Sequence, residues 1–288
     1  MTDFFSQIIR KLAAEKIENP RLEARLMMAE ALHCRPEEIY QDIKLTQEEQ
    51  AKVEAMLDER LRHKPLDKIL GHREFYKYDF IVNEDVLSPR LDTEILVEEA
   101  LEILKNIPKP KILDLGCGSG CIIETLLKEL PAASGCAADI SDKALAVAKQ
   151  NAENLGVNDR LRLLNADWFA DDFVAATGET FDMIVSNPPY IPSADIETLD
   201  TEVKNYDPLT ALDGGKSGYD SYERIAQIAP EMLQNSGYIL LEAGYGQAEK
   251  IADIYIKQGF KLLKIVDDLA GIERCVILQK AVAENKNN

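Results

Sequence analysis

Four consecutive residues, Asn187-Pro188-Pro189-Tyr190, close an apolar run that begins at Phe181. The run, through Met183, Ile184 and Val185, reads as a buried strand. The tetrad adds an amide, two rings that lack N–H groups, and an aromatic. A double proline can simply terminate a strand, but this one also has a chemical use. An NH2 group bound to a carbonyl or an aromatic ring is a poor nucleophile, because its lone pair is delocalised. The Asn187 side-chain carbonyl and the Pro188 backbone carbonyl can accept its two N–H bonds and aim the lone pair at an incoming methyl group. Tyr190 can stack on the planar group. Holding two reactants in line is worth up to roughly 7–11 kcal/mol. Carbonyl acceptors also favour positive charge growing on nitrogen, so the step needs no strong base.

A second stretch, Asp114-Leu115-Gly116-Cys117-Gly118-Ser119-Gly120, lies between a predicted strand and a predicted helix. Glycines there let the backbone approach a ligand closely. The pattern is G-x-G-x-G; position 121 is cysteine, so the dinucleotide fingerprint G-x-G-x-x-G is not met, and no G-K-[ST] follows. Asp139 ends the next strand about twenty residues on, where an acid suits a bidentate grip on ribose hydroxyls. It could equally be a helix N-terminal carboxylate beside Ser141. Asp167-Trp168 after the third strand offers an acceptor for an adenine amine and a flat ring, although the chain's single tryptophan could also be a core plug. Loop and acid together favour a nucleoside ligand.

Composition narrows the partners. The chain has 288 residues, 46% hydrophobic and 29% charged, an ordinary balance for a globular protein. Its net charge is −18, of which residues 1–73 carry only −1 and the remainder −17. Tight nucleic-acid binding is driven by phosphate neutralisation, and no concentrated basic patch is visible, so a protein or small-molecule substrate is favoured over a nucleic acid. No apolar stretch approaches the roughly 20 residues of a membrane helix. The first residues alternate charge with apolar side chains and lack a signal-peptide h-region, which predicts a cytoplasmic protein without membrane association. Five cysteines with no C-x-x-C pair, and three histidines without ligand spacing, predict neither a disulfide framework nor a metal site. Cys117 and Cys121 read as small packed thiols.

The positioning elements follow from periodicity. Apolar residues at helical spacing (Phe4, Phe5, Ile8, Ile9, Leu12) open a small all-α bundle over residues 1–73. It continues with helices after Pro20, near Pro36 and after the T-x-x-E capping box at Thr46–Glu49. Residues 74–88 mix aromatic and β-branched side chains and predict a β-hairpin linker, with a turn at Asn83-Glu84-Asp85. From residue 89 to 283 strands and helices alternate, which argues an α/β domain around a mostly parallel sheet. The segment from Ile191 to Gly218 is long enough to be functional or to carry short helices of its own. FKLLKIVDD and ERCVILQK predict a closing strand pair. Residues 284–288 are expected to be a disordered tail.

GHREFYKYDFIVNEDVLSPRLDTE, DLGCGSG, SNPPYIP and EVKNYDPLTALDGGKSGYDSYERI together resemble the peptide chain release factor glutamine methyltransferases of the HemK/PrmC type, over essentially the whole chain. NPPY alone is shared with adenine-amine DNA methyltransferases; a nucleic-acid adenine or a ribosomal-protein glutamine is the alternative substrate. The resemblance implies a Rossmann-like seven-stranded methyltransferase domain after a helical bundle that docks the release factor. It further implies S-adenosyl-L-methionine as cofactor and a class 1 release factor as protein substrate, methylated on the side-chain amide of its Gly-Gly-Gln glutamine by an enzyme expected to be monomeric. Gly116, Cys117, Gly118, Ser119, Gly120, Asp139, Trp168 and Asn187 would hold the cofactor. Asn187, Pro188, Pro189 and Tyr190 would hold the glutamine. Three positions depart from the family pattern: Leu91 for a proline, Lys68 for an aromatic, and Ser217 within Lys216-Ser217-Gly218-Tyr219, where G-x-D-G-L is usual.

Overall fold

The computed structural model describes residues 4–39 and 43–281. They form two compact units. The first opens with α1 (Phe4–Ala14), which buries Phe5, Ile8 and Leu12, one stripe at spacings of three and four. Asn19 leaves the right-handed region at φ 51°, as the residue before a proline is prone to do, and Pro20 starts α2 (Pro20–Leu32). The expected capping box closes around the start of α3 (Gln47–Arg60): the Glu49 N–H donates to Thr46 Oγ1, and the Thr46 N–H donates to Glu49 Oε2 at 2.7 Å. A short α4 (Leu66–Leu70) follows. Phe5, Met27, Met28, Val53 and Leu57 meet in one core.

The second unit begins with a hairpin, β1 (His72–Phe75) and β2 (Tyr78–Ile81). It lies earlier than residues 74–88, and its two-residue turn is Tyr76-Lys77 rather than Asn83–Asp85. Tyr76 takes φ 61°, and its N–H donates to Glu94 Oε1 at 2.7 Å. Such a tight turn needs left-handed backbone, which the strand twist imposes even on a tyrosine. The Asn83 turn exists as well: the Asp85 N–H donates to Asn83 Oδ1, but beyond the end of β2. The Asn151 side chain meets the end of β2 as a further strand would. It accepts the Ile81 N–H at 2.7 Å and donates to the carbonyls of Ile81 and Ser119.

After α5 (Glu94–Leu104) the chain alternates: β3 (Lys111–Leu115), α6 (Cys121–Glu129), β4 (Ser134–Asp139), α7 (Asp142–Leu155), β5 (Leu161–Asn165), α8 (Phe173–Thr177) and β6 (Phe181–Ser186). Ser141 caps α7, its Oγ accepting the Ala144 N–H. The excursion after β6 carries α9 (Thr201–Tyr206) and α10 (Leu209–Leu212). Then come α11 (Asp220–Met232), β7 (Leu233–Glu242), α12 (Ala248–Lys257), β8 (Phe260–Asp267) and β9 (Glu273–Lys280). Residues 200–206 pack with the first unit, not the second. Tyr206 Oη donates to the Arg62 carbonyl, and Lys68 Nζ donates to the Tyr206 carbonyl. Arg60, almost fully buried, pairs with Glu23 at 2.6 Å and with Glu202 at 2.7 Å.

Seven strands form one sheet in the order β5-β4-β3-β6-β7-β9-β8, parallel except for β9, which runs against both neighbours. Residues 284–288, expected as a tail, lie outside the described residues. Alternate side chains of the central strands feed two cores, one on each face. Ile112, Met183, Val185, Leu240 and Ile277 face one, while Leu113, Ile184, Ile239, Leu241 and Val276 face the other. Covering both faces makes these strands continuously apolar. The chain leaves β3 towards β4 and β5, then crosses back to put β6 on the other side of β3. A topological switch point therefore lies between the carboxyl ends of β3 and β6, where open α/β sheets bind ligands. Among the described residues no helix is long and apolar enough to cross a membrane.

Candidate active site

The glycine loop folds back on the end of β4. The N–H groups of Gly116 and Cys117 both donate to the Ala138 carbonyl, at 2.8 and 3.2 Å, and the Gly118 N–H donates to Asp139 Oδ2 at 2.9 Å. Three successive amides are thus spent on protein acceptors, so the loop is not built as a phosphate cradle. The other Asp139 oxygen accepts the Ser141 N–H at 2.9 Å. A carboxylate has about four lone-pair positions, so acceptor capacity remains for a ligand's hydroxyl. Burial raises the Asp139 pKa, while the amides of Ser141, Gly118 and Ile140 oppose the rise.

Trp168 closes the same side. A Cβ added to Gly116 would lie 3.1 Å from its ring, so glycine is what lets the indole lie on the loop. The indole N–H is buried and meets no protein acceptor. Beneath the loop, burial pushes Asp114 up to about 7. Burial, with repulsion from Asp114 added, pushes Glu124 up to about 9. The Glu124 carboxyl occupies the place where a Gly120 side chain would stand, 2.1 Å from such a Cβ.

The opposite wall grows from β6. Ser186 Oγ donates to the Leu115 carbonyl at 2.6 Å and fastens the ends of the two strands that frame the switch point. Asn187 Nδ2 donates to Thr93 Oγ1 at 3.4 Å, which leaves Oδ1 as the amide's remaining polar atom. Among the described residues no protein donor meets that oxygen or the Pro188 carbonyl. Thr93 Oγ1 in turn donates to Glu242 Oε2 at 2.5 Å. The backbone of Pro189 and Tyr190 is pressed against Gly214, whose Cβ would fall 2.7 Å from Tyr190 Cα. Paired bonds between Ile191 and the return segment, to Leu212 and from Gly214, hold it there. Between the walls lies a cleft open to solvent.

The family model described as "Methyltransferase small domain" matches residues 90–202, and "PrmC N-terminal domain" matches residues 3–71. A Rhodospirillum rubrum protein named release factor glutamine methyltransferase is 41% identical over 275 residues, covering 95% of this chain and 83% of the relative. Proteins of the same name from Geobacter sulfurreducens and Agrobacterium fabrum are 40% and 38% identical. Each aligns with more than nine-tenths of both chains. The chain belongs to the release factor glutamine methyltransferases.

For a release factor glutamine methyltransferase the required co-substrate is S-adenosyl-L-methionine, and the residues present fit it. Its ribose diol, flat base and positive charge meet a carboxylate with acceptor capacity to spare, an indole laid over the loop, and no phosphate cradle. Of the residues expected to act, Gly116, Cys117, Gly118, Ser119, Asp139, Trp168, Asn187 and Pro189 line one cleft. Gly120 lies below its floor, turning the chain into α6. Pro188 is buried, and Tyr190 packs beside Gly244 with its carbonyl accepting from Gln247 Nε2 at 3.1 Å. Asp167 does not line the cleft; one of its oxygens caps its own turn through the Phe169 N–H.

Other residues of the cleft carry no chemical signature in the sequence. Ser88, Arg90 and Thr93 line it from the segment that enters α5, and Pro208 and Ala211 from the excursion after β6. Arg90 is held by Asp207 at 3.0 Å. The irregular run Leu87-Ser88-Pro89-Arg90 was the available signal, because it separates two periodic elements and carries a proline that neither would hold in its interior.

Proposed function

We infer that this protein transfers the methyl group of S-adenosyl-L-methionine to the side-chain amide nitrogen of the glutamine in the Gly-Gly-Gln motif of a class 1 release factor. The observation that carries the reading is the Asn187 amide at the cleft, tied down by its nitrogen so that its oxygen is left as an acceptor, with the carbonyl of the buried Pro188 following it in the chain. Two carbonyl acceptors suit the two N–H bonds of a primary amide. They hold its plane and favour the positive charge that grows on nitrogen as it is alkylated. When bound, S-adenosyl-L-methionine supplies an electrophilic methyl group on a sulfonium. Asp139 holds the ribose diol, Trp168 flanks the base, and the Gly116–Gly120 backbone gives room for both. Tyr190 and Pro189 shape the wall against which the glutamine lies.

To the first unit, which matches the PrmC N-terminal model, we assign docking of the protein substrate. The acidic balance of the rest of the chain supports a protein rather than a nucleic-acid substrate. A cytoplasmic monomer acting on free release factor completes the reading. The test is incubation with labelled S-adenosyl-L-methionine and a release factor, beside a variant factor whose motif glutamine is alanine. Label is expected on the first and absent from the second; undiminished labelling of the variant overturns the assignment.

A further inference from the structure

We propose that Glu242, acting through Thr93, sets which way the Asn187 amide faces, and is therefore a positioning residue for the amide-holding site. The inference rests on the reading that Asn187 presents its oxygen to a substrate NH2 group.

A primary amide is nearly symmetric in shape, so packing alone does not decide whether oxygen or nitrogen faces the cleft. Only the oxygen can hold an NH2 group; a nitrogen there would set donor against donor. Among the described residues the Asn187 amide has one protein partner, Thr93 Oγ1. A hydroxyl is ambivalent, since it donates one hydrogen and accepts through two lone pairs. Thr93 by itself would tolerate either face of the amide.

Glu242 removes the ambivalence. An ionised carboxylate only accepts, and Glu242 Oε2 lies 2.5 Å from Thr93 Oγ1, so the single hydroxyl hydrogen is committed to it. Thr93 then has only lone pairs left for Asn187 and requires Nδ2–H in that position. Direction thus passes from the carboxylate to the hydroxyl to the amide. Both intermediaries are buried, at 3% exposure for Thr93 and 2% for Glu242, so water does not compete for the bonds. The fold brings the three together: Glu242 ends β7, whose Leu241 is paired with Ser186 immediately before Asn187. Tyr222 Oη donates to the Glu242 backbone carbonyl at 2.7 Å and steadies the strand end. Burying a carboxylate is costly, and nothing in methyl transfer uses this one directly. Orienting Asn187 gives it a purpose.

The same relay makes the site sensitive to protons. Burial pushes Glu242 up to about 7, against the Thr93 hydrogen bond and the charges of Arg274 and Arg90, with Asp92 adding to the rise. Tyr190, Tyr222, Cys121 and Cys275 also face it. Once protonated, Glu242 can donate to Thr93, whose hydrogen is then free to turn to the Asn187 oxygen and reverse the amide. Activity is therefore expected to fall as pH drops through about 7.

Two measurements test this. The first needs neither cofactor nor substrate. In the wild-type protein the 15N and 1H resonances of the Asn187 side-chain amide should titrate with a midpoint near pH 7, and Glu242→Gln should abolish that titration. The second is turnover. Glu242→Gln and Thr93→Val should each lower kcat by roughly 10–100-fold, the range for partners that orient a working group. The dissociation constant of S-adenosyl-L-methionine should stay within about twofold. Glu242→Gln should also flatten the acid limb of the pH–kcat profile, and Thr93→Ser, which restores the hydroxyl, should recover most of what Thr93→Val loses. An Asn187 titration that persists in Glu242→Gln overturns the proposal, as does a Thr93→Val enzyme with wild-type kcat. Absence of release-factor methylation by the wild-type enzyme would instead overturn the functional reading and leave the resonance test standing.

Discussion

The two walls of the cleft are built by different means. The wall of β3 and β4 is made from backbone and near neighbours: glycine amides on the Ala138 carbonyl, and Asp139 bridging Gly118 and Ser141. The wall of β6 depends on side chains far apart in the chain, with Asn187, Thr93 and Glu242 in series. A cofactor that is the same in every turnover can be met by a rigid turn. A substrate amide that must be told from its own mirror arrangement, oxygen for nitrogen, needs a directed chain of hydrogen bonds. The first wall should accordingly govern affinity for the cofactor and the second should govern rate.

That division can be broken by substitution. Asn187→Ala removes the acceptor that holds the amide, and should cut kcat by about 10²–10³-fold, the cost of losing one oriented polar group at a developing charge. Its cofactor dissociation constant, measured by calorimetry, should rise by less than that of Asp139→Ala; a larger loss of cofactor affinity would merge the two walls into one. Asp139→Ala should do the reverse. It frees the Gly118 and Ser141 amides and removes a charged acceptor at about 1.5–3 kcal/mol per bond, so cofactor binding should weaken by at least about tenfold. Equal cofactor affinity in that variant would overturn its assignment.

Two further variants sharpen the first wall. Glu124 lies under the loop with neither carboxyl oxygen hydrogen-bonded, and its pKa is raised on folding. An acid of that kind gives up its proton more readily when unfolded, so stability falls as pH climbs from 4.5 through about 9. Glu124→Leu should raise stability by about 1–4 kcal/mol, with the gain in urea titrations larger at pH 9 than at pH 6. A gain independent of pH would show that the carboxyl is not titrating. The smallest effect is expected of Gly116→Ala, where the new Cβ must shift the Trp168 ring by a few tenths of an ångström and alanine must also take a left-handed backbone at φ 73°. Cofactor affinity should fall several-fold, and emission from the single tryptophan should change.

The same contrast decides what the sequence could disclose. The strand, glycine turn, helix and following acid all lie within residues 111–139, and their chemistry is written in residue types: glycine where an indole must approach, an acid where hydroxyls are held. The NPPY tetrad is equally local. Thr93 and Glu242 are not legible, because a threonine opening a helix and a glutamate ending a strand have ordinary structural uses; only the sheet register unites them. The hairpin turn escaped for a related reason. Asn83-Glu84-Asp85 has the turn-forming residues, but strand twist and the Glu94 carboxylate select Tyr76. Likewise, nothing in TEVKNY announces that residues 200–206 pack with the amino-terminal helices, since the pairing of Glu202 with Arg60 spans about half the chain.

That last pairing bears on how such proteins can be taken apart. Because the chain enters the helical unit twice, at its beginning and again between residues 199 and 207, the two units are interlaced rather than strung in series. Deleting residues 1–72 would strip Glu202 of its guanidinium and Tyr206 of the carbonyl to which it donates, leaving a ragged interruption in the excursion that follows the tetrad. Exchange of the amino-terminal helices between relatives, as one cassette, would demand a matched exchange of a seven-residue insert far downstream. Recombination of these genes at the boundary near residue 72 should be penalised, and the two pieces should be inherited together.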